Sequence, residues 1–96
     1  MNANTLLKEK RKEILCIASK YGAHNVRVFG SVARGEADQG SDLDLLVRFD
    51  RGVTLLRQAA FARELEVLLN SKVDVVSDKG LRPRIREHVL AEARPL

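Results

Sequence analysis

Cysteine occurs once in these 96 residues, tryptophan not at all, proline twice, and only one tyrosine and three phenylalanines are present. A single cysteine excludes an internal disulfide framework and a cysteine-built zinc site. So few aromatics argue against a platform that stacks single-stranded bases, and a nucleic-acid partner is not expected. No apolar run approaches the roughly 18 residues that a membrane span requires. The first ten residues carry Lys8, Glu9 and Lys10 where a secretory signal would need its apolar stretch. The expectation is a soluble, cytoplasmic chain with no membrane partner. Its length suits one domain, residues 1–96, with a single core and no room for a large enclosed pocket. At 45% hydrophobic and 31% charged, the composition is that of a globular rather than a disordered chain.

The net charge of +4 is unevenly placed. Residues 1–29 have six basic and two acidic side chains, and residues 51–96 have nine and six. Residues 30–50 reverse the sign, with Glu36, Asp38, Asp42, Asp44 and Asp50 against Arg34 and Arg48. An acidic patch within a basic frame suits a divalent cation carried by a polyanion, such as a nucleoside triphosphate. Arg82, Arg84 and Arg86 form a basic stretch that reads as a solvated helix start, and His24 and His88 have no second histidine at ligand spacing.

Periodicity orders the elements. Leu7, Ile14, Ile17, Ala18 and Tyr21 predict one helix over residues 5–21, stopped by Gly22, with Cys16 packed inside it. Residues 26–29 predict a strand ending at Gly30, and residues 43–49 a second. The intervening polar stretch reads as a helical turn running into a loop. Thr54 is a plausible cap for a helix to Leu69, with Leu55, Ala59, Ala62, Leu65 and Leu69 on its inner face. Residues 72–76 predict a third strand. Residues 81–93 predict a last helix bearing Leu81, Ile85, Val89 and Ala93, with Pro83 in its first turn. The fold class is α/β, a two-layer plan with a small mixed sheet, in which the penultimate helix crosses between two parallel strands. Leu6, Leu56, Phe61 and Leu68 are left over once each apolar stripe is assigned, and are candidates for a protein interface.

Asp42 and Asp44 are two apart on a strand, so their carboxylates share a face with Cα atoms about 7 Å apart, while Leu43, Leu45 and Val47 turn into the core. Two such charges repel unless solvated or bridged by a cation. Asp74 interrupts an apolar strand, where a carboxylate needs either a basic partner or a metal. If the second and third strands are neighbours, three carboxylates converge, a hard set suited to Mg²⁺ or Mn²⁺ and able to hold two ions about 4 Å apart. Gly30 would let a phosphate approach the backbone, Ser31 would open a short helix, and Arg34 would add a charged donor.

Gly30-Ser31, ten residues, then Asp42-Leu43-Asp44 resembles the signature of the DNA polymerase β-type nucleotidyltransferases. The flanking Ala33-Arg34-Gly35 and Ser41-Asp42 make it resemble most the minimal nucleotidyltransferases, the antitoxins of pairs with HEPN-domain toxins. The resemblance runs along nearly the whole chain and implies a nucleotidyltransferase core. It implies catalysis by Asp42, Asp44 and Asp74 as ligands of two Mg²⁺ ions, with Gly30, Ser31 and Arg34 on the triphosphate of ATP. It further implies transfer of AMP to a hydroxyl, tyrosine in the family's characterised cases, on a partner HEPN ribonuclease that is thereby neutralised in a hetero-oligomer. Two alternatives stay open: an antitoxin that silences its partner by binding alone, and transfer to a small molecule, for which the second domain of such enzymes is missing from this length.

Overall fold

The computed structural model describes residues 3–36 and 42–96; Ser41 of the motif and residues 37–40, for which the sequence predicts a loop, lie outside the described residues. The elements are α1 (Ala3–Glu9), α2 (Arg11–Lys20), β1 (Ala23–Phe29), α3 (Gly30–Arg34), β2 (Leu43–Phe49), α4 (Leu55–Leu69) and β3 (Val73–Ser77). A 3-10 turn (Asp78–Gly80), α5 (Pro83–Glu92) and a two-residue β4 (Arg94–Pro95) complete them. The strands form one sheet in the order β3-β2-β1-β4. β2 and β3 are parallel, joined by the α4 crossover as expected, while β1 is antiparallel to both β2 and β4.

Each face of the sheet has its own apolar cluster. On one face Ile14 and Ala18 of α2 and Phe61, Leu65 and Leu69 of α4 cover Val28, Leu43, Leu45, Val47 and Val73. On the other, Leu81 and Val89, before and within α5, pack on Leu46 with Phe29, Val76 and Ala93 around them. β2 is therefore buried on both sides along most of its length, which is why Leu45, Leu46 and Val47 run on without polar alternation.

β1 carries a register change. Ala23 and His24 oppose Phe49 and Arg48, whereas Arg27, Val28 and Phe29 oppose Leu46, Leu45 and Asp44. The extra residue is absorbed around Asn25, whose φ of 52° lies in the left-handed region that asparagine tolerates. Ala23 and Val26, three apart, consequently both reach the larger core, and Phe29 reaches the smaller one.

Several expectations are corrected. The first helix is two, broken at Lys10, which keeps both of its own helical bonds: Lys10 N–H donates to Leu6 O at 3.0 Å and Lys10 O accepts from Ile14 N–H at 2.9 Å. Cys16 is exposed rather than packed, since the buried stripe runs through Ile14 and Ala18. Thr54 caps α4 as expected, accepting from Arg57 N–H at 3.1 Å, and Leu65 and Leu69 face the core as expected, but Phe61 takes the place given to Leu55 and Ala59. Phe61, Leu65 and Leu69 face the core, Phe61 with an edge-on contact to Phe49, while Leu55 is 82% exposed. Leu6 and Leu68 pack against the larger core; of the four leftover positions only Leu56 is exposed. On α5 Ile85 is half-exposed and Val89 carries the burial.

Phe61→Ala is expected to cost about 3–5 kcal/mol, the usual result of emptying a fully buried aromatic site. Leu56→Ser is expected to change stability by less than about 0.5 kcal/mol. Urea denaturation of the two variants beside the wild type checks both.

Candidate active site

The parallel ladder between β2 and β3 sets Asp44 directly opposite Asp74. By strand alternation both lie on the face that carries Leu46 and Val76, one step beyond the patch that α5 covers. Asp42 stands just before β2, where Leu43 N–H donates to Lys72 O at 3.0 Å and fixes the start of the strand. Lys72 Nζ lies 3.8 Å from Asp42 Oδ2, a solvent-exposed pair that contributes little stability. Asp74 is exposed, not buried as its apolar neighbours suggested, because the face it occupies is open at that end of the sheet.

The sequence places the other half of the site at the end of β1. Phe29 opposes Asp44, and Gly30 opens α3 with a φ of +74°. A Cβ at Gly30 would overlap Asp44 Oδ2 and stand 3.1 Å from its Cγ, so only glycine admits both the turn and the carboxylate. Ser31 is half-buried, and the buried Val32 and Ala33 anchor α3 to the larger core. Gly35, at φ +73°, ends the helix.

Burial first, and then the neighbouring charges of Asp74, Asp42 and Glu92, push the Asp44 carboxyl above its ordinary value, while Arg34 pulls it down. Glu92, at the end of α5, was not singled out in the sequence. Its carboxylate accepts from Gly30 N–H at 3.2 Å and from Arg34 Nη1, and the Arg34 bond together with the Gly30 bond draws its carboxyl down. Arg34 Nε also donates to Glu36 at 2.9 Å. A signal was available: a glutamate in the last turn of a helix sits at the negative end of the dipole and needs a reason to be there.

Asp42, Asp44, Asp74 and Gly30 thus share one end of the sheet, with Ser31 and Arg34 following on α3. Among the described residues no three His, Cys, Asp or Glu side chains are drawn together tightly enough to make a ready metal cage. The donor chemistry nonetheless fits Mg²⁺: oxygen ligands only, like-charged carboxylates that penalise Asp44 when ionised, and no side chain at Gly30 to fill the space beside it.

Two consequences can be measured. The carboxyl of Asp44 is raised in the folded state, so its ionised form opposes folding. The penalty is fully present at neutral pH and vanishes below about pH 4, where the unfolded chain is protonated as well. Asp44→Asn should therefore raise the thermal midpoint at pH 8 and leave it unchanged near pH 3.5. Gly30→Ala should destabilise by about 1–3 kcal/mol through its left-handed backbone alone, read by chemical denaturation.

Comparison with known proteins bears on this geometry. Residues 8–96 match the family described as nucleotidyltransferase domain. Protein adenylyltransferase MntA of Thermococcus cleftensis is 36% identical over 88 residues, which are 92% of this chain and 86% of that protein. A solved structure of a predicted minimal nucleotidyltransferase is 54% identical, with a TM-score of 0.88 over 100% of this chain and 97% of that one. The fold is also shared with a structure of a tri-AMPylated Shewanella oneidensis HEPN toxin in complex with its MNT antitoxin, at 17% identity and a TM-score of 0.71; the match covers 92% of this chain and 69% of that one. A sheet of this topology with paired carboxylates beside a glycine turn, and a family match over nearly its whole length, have one conclusion: the chain belongs to the nucleotidyltransferase-domain family.

Proposed function

We propose that this nucleotidyltransferase moves AMP from ATP to a hydroxyl, tyrosine being the expected acceptor, on a partner HEPN ribonuclease toxin, and so acts as its antitoxin. The observation that carries the reading is Gly30 pressed against Asp44 with Asp74 directly across the ladder. That arrangement sets a glycine backbone, bare of any side chain, beside three carboxylates. The relative named protein adenylyltransferase supports AMP as the group transferred and protein as the acceptor. The shared fold with an MNT antitoxin is consistent with the partner.

Asp42, Asp44 and Asp74 would hold Mg²⁺, which supplies charge neutralisation at the transferring phosphate when bound. Gly30 and Ser31 would carry the triphosphate on the other side of Asp44, with Arg34 adding positive charge. In the transfer the acceptor oxygen attacks the α-phosphorus and the bond to the β-phosphate oxygen breaks. Pyrophosphate leaves with the electron pair, and the hydroxyl proton passes to a base, for which Asp74 is exposed and placed at the edge. The chain's contribution is mainly to position and to balance charge.

A binding-only antitoxin is the second reading, favoured by Leu55, Leu56 and Val67, which stand 82%, 83% and 79% exposed on α4. The test incubates the purified chain with Mg²⁺, ATP labelled on its α-phosphate and extract of its host. A labelled protein is expected with the wild type, reduced at least about 100-fold in the Asp42→Asn/Asp44→Asn double variant and absent when Mg²⁺ is chelated. No label with any nucleotide, while wild type and variant capture the same partner, would establish the binding-only reading.

A further inference from the structure

Glu92 does for Gly30 what a neighbouring strand would do if the sheet continued. β4 pairs with β1 through Val28 opposite Arg94 and Arg27 opposite Pro95. Extending that antiparallel register by two residues brings Gly30 level with Glu92. At that point the chain is already helical, because α5 ends at Glu92, and no backbone carbonyl is offered across the gap. The side chain takes its place: Gly30 N–H donates to Glu92 Oε2 at 3.2 Å. Its second oxygen accepts from Arg34 Nη1, one turn further along α3. The Glu92 side chain is only 13% exposed, whereas Arg34 is 46% exposed, so the acid is the fixed member and the base lies over it.

We propose that Glu92 is a positioning residue, whose carboxylate holds the Gly30 amide and the Arg34 guanidinium and so sets the Gly30-Ser31 turn against Asp44. This rests on the nucleotidyl-transfer reading above. The local electrostatics of α5 disfavour a carboxylate at its C-terminal end, and no basic residue occupies its last turn. The two charge-assisted hydrogen bonds offset that cost, and one of them holds the glycine whose backbone lies against the Asp44 carboxylate. Gly30 has no side chain to anchor it, and its left-handed φ is available to a glycine in several neighbouring conformations. Without Glu92 the Gly30 amide loses its partner, and the turn is held by the Phe29–Asp44 pairing before it and the burial of Val32 and Ala33 after it. The distance from the triphosphate side of the site to Asp44 then varies, and a misplacement of about 1 Å is worth roughly 100-fold in rate.

The experiment compares Glu92→Ala, Glu92→Gln and, as a control on the exposed face of the same helix, Glu87→Ala. Amide hydrogen exchange of Gly30 is followed by NMR without nucleotide, and AMP transfer is followed as kcat and KM for ATP. Glu92→Ala is expected to speed Gly30 exchange at least about tenfold and to lower kcat by about 10–100-fold, with a smaller change in KM. Glu92→Gln keeps one acceptor oxygen, enough for Gly30 N–H but not for Arg34 as well, and should retain the Gly30 protection with a smaller loss of kcat than Glu92→Ala; Glu87→Ala should match the wild type. A Glu92→Ala variant that melts lower but keeps wild-type kcat at a permissive temperature would reduce Glu92 to a structural tie. A fall in KM with kcat unchanged would make it a competitor of the triphosphate, and unchanged Gly30 exchange would remove the contact altogether; each overturns the proposal. If the wild type labels no acceptor, it is the transfer reading that fails, and the exchange data separate that failure from loss of the contact.

Discussion

Asp44 and Asp74 face each other across a parallel ladder, and most of the architecture around them can be understood as what it takes to hold two like charges in that register. Carboxylates directly opposite on adjacent strands repel. The β2–β3 pair withstands this because both strands are seated elsewhere: Leu43, Leu45 and Val73 in the larger core, and Leu46, with Val76 against it, in the smaller. The α4 crossover is the only covalent link between them, and its Phe61, Leu65 and Leu69 pack straight onto the sheet they join. Hydrophobic burial along the strands thus sustains an electrostatic conflict at their open end. Conflicts of that kind are expected where a site is built to receive positive charge.

Most of this arrangement was legible in the residues. Strand alternation alone put Asp42 and Asp44 on one face, and the apolar flanks of Asp74 marked it as out of place. The crossover geometry made β2 and β3 neighbours. Where reading failed, the cause was local ambiguity. Residues 55–69 are apolar on several sides, so Leu65 and Leu69 could be joined at helical spacing by Leu55, Ala59 and Ala62 or by Phe61. Only the sheet beneath decides between them. Asp74 was expected to be buried because its neighbours are valines, yet burial depends on whether a helix lies over that end of the strand, and α5 stops short of it.

Glu92 was invisible for a different reason. Its partners Gly30 and Arg34 lie about sixty positions away in the chain and meet it through the packing of α5 on the sheet and the two-residue β4 that follows. So short an edge strand leaves no periodic trace in the sequence. It nevertheless decides where the last helix ends relative to the first strand, and hence which side chain stands beside the glycine turn. The smallest element of the sheet is the one that closes the site to its own C-terminal helix.

The irregularity at Asn25 has a further meaning for how this molecule can vary. A strand with one residue more than its partner is out of phase with itself: the part before Asn25 and the part after it obey opposite rules about which side chains are interior. Ala23 is interior before the bulge and Val26 and Val28 after it, while Phe29 turns to the other face. The bulge therefore acts as a spatial frameshift, and the glycine turn lies downstream of it. Loss of Asn25 would leave a regular ladder, with Val26 opposite Val47 between the pairs His24–Arg48 and Arg27–Leu46, and every side chain would keep its present face. The bulge is thus the point at which the strand can gain or lose a residue while the glycine turn stays where it is.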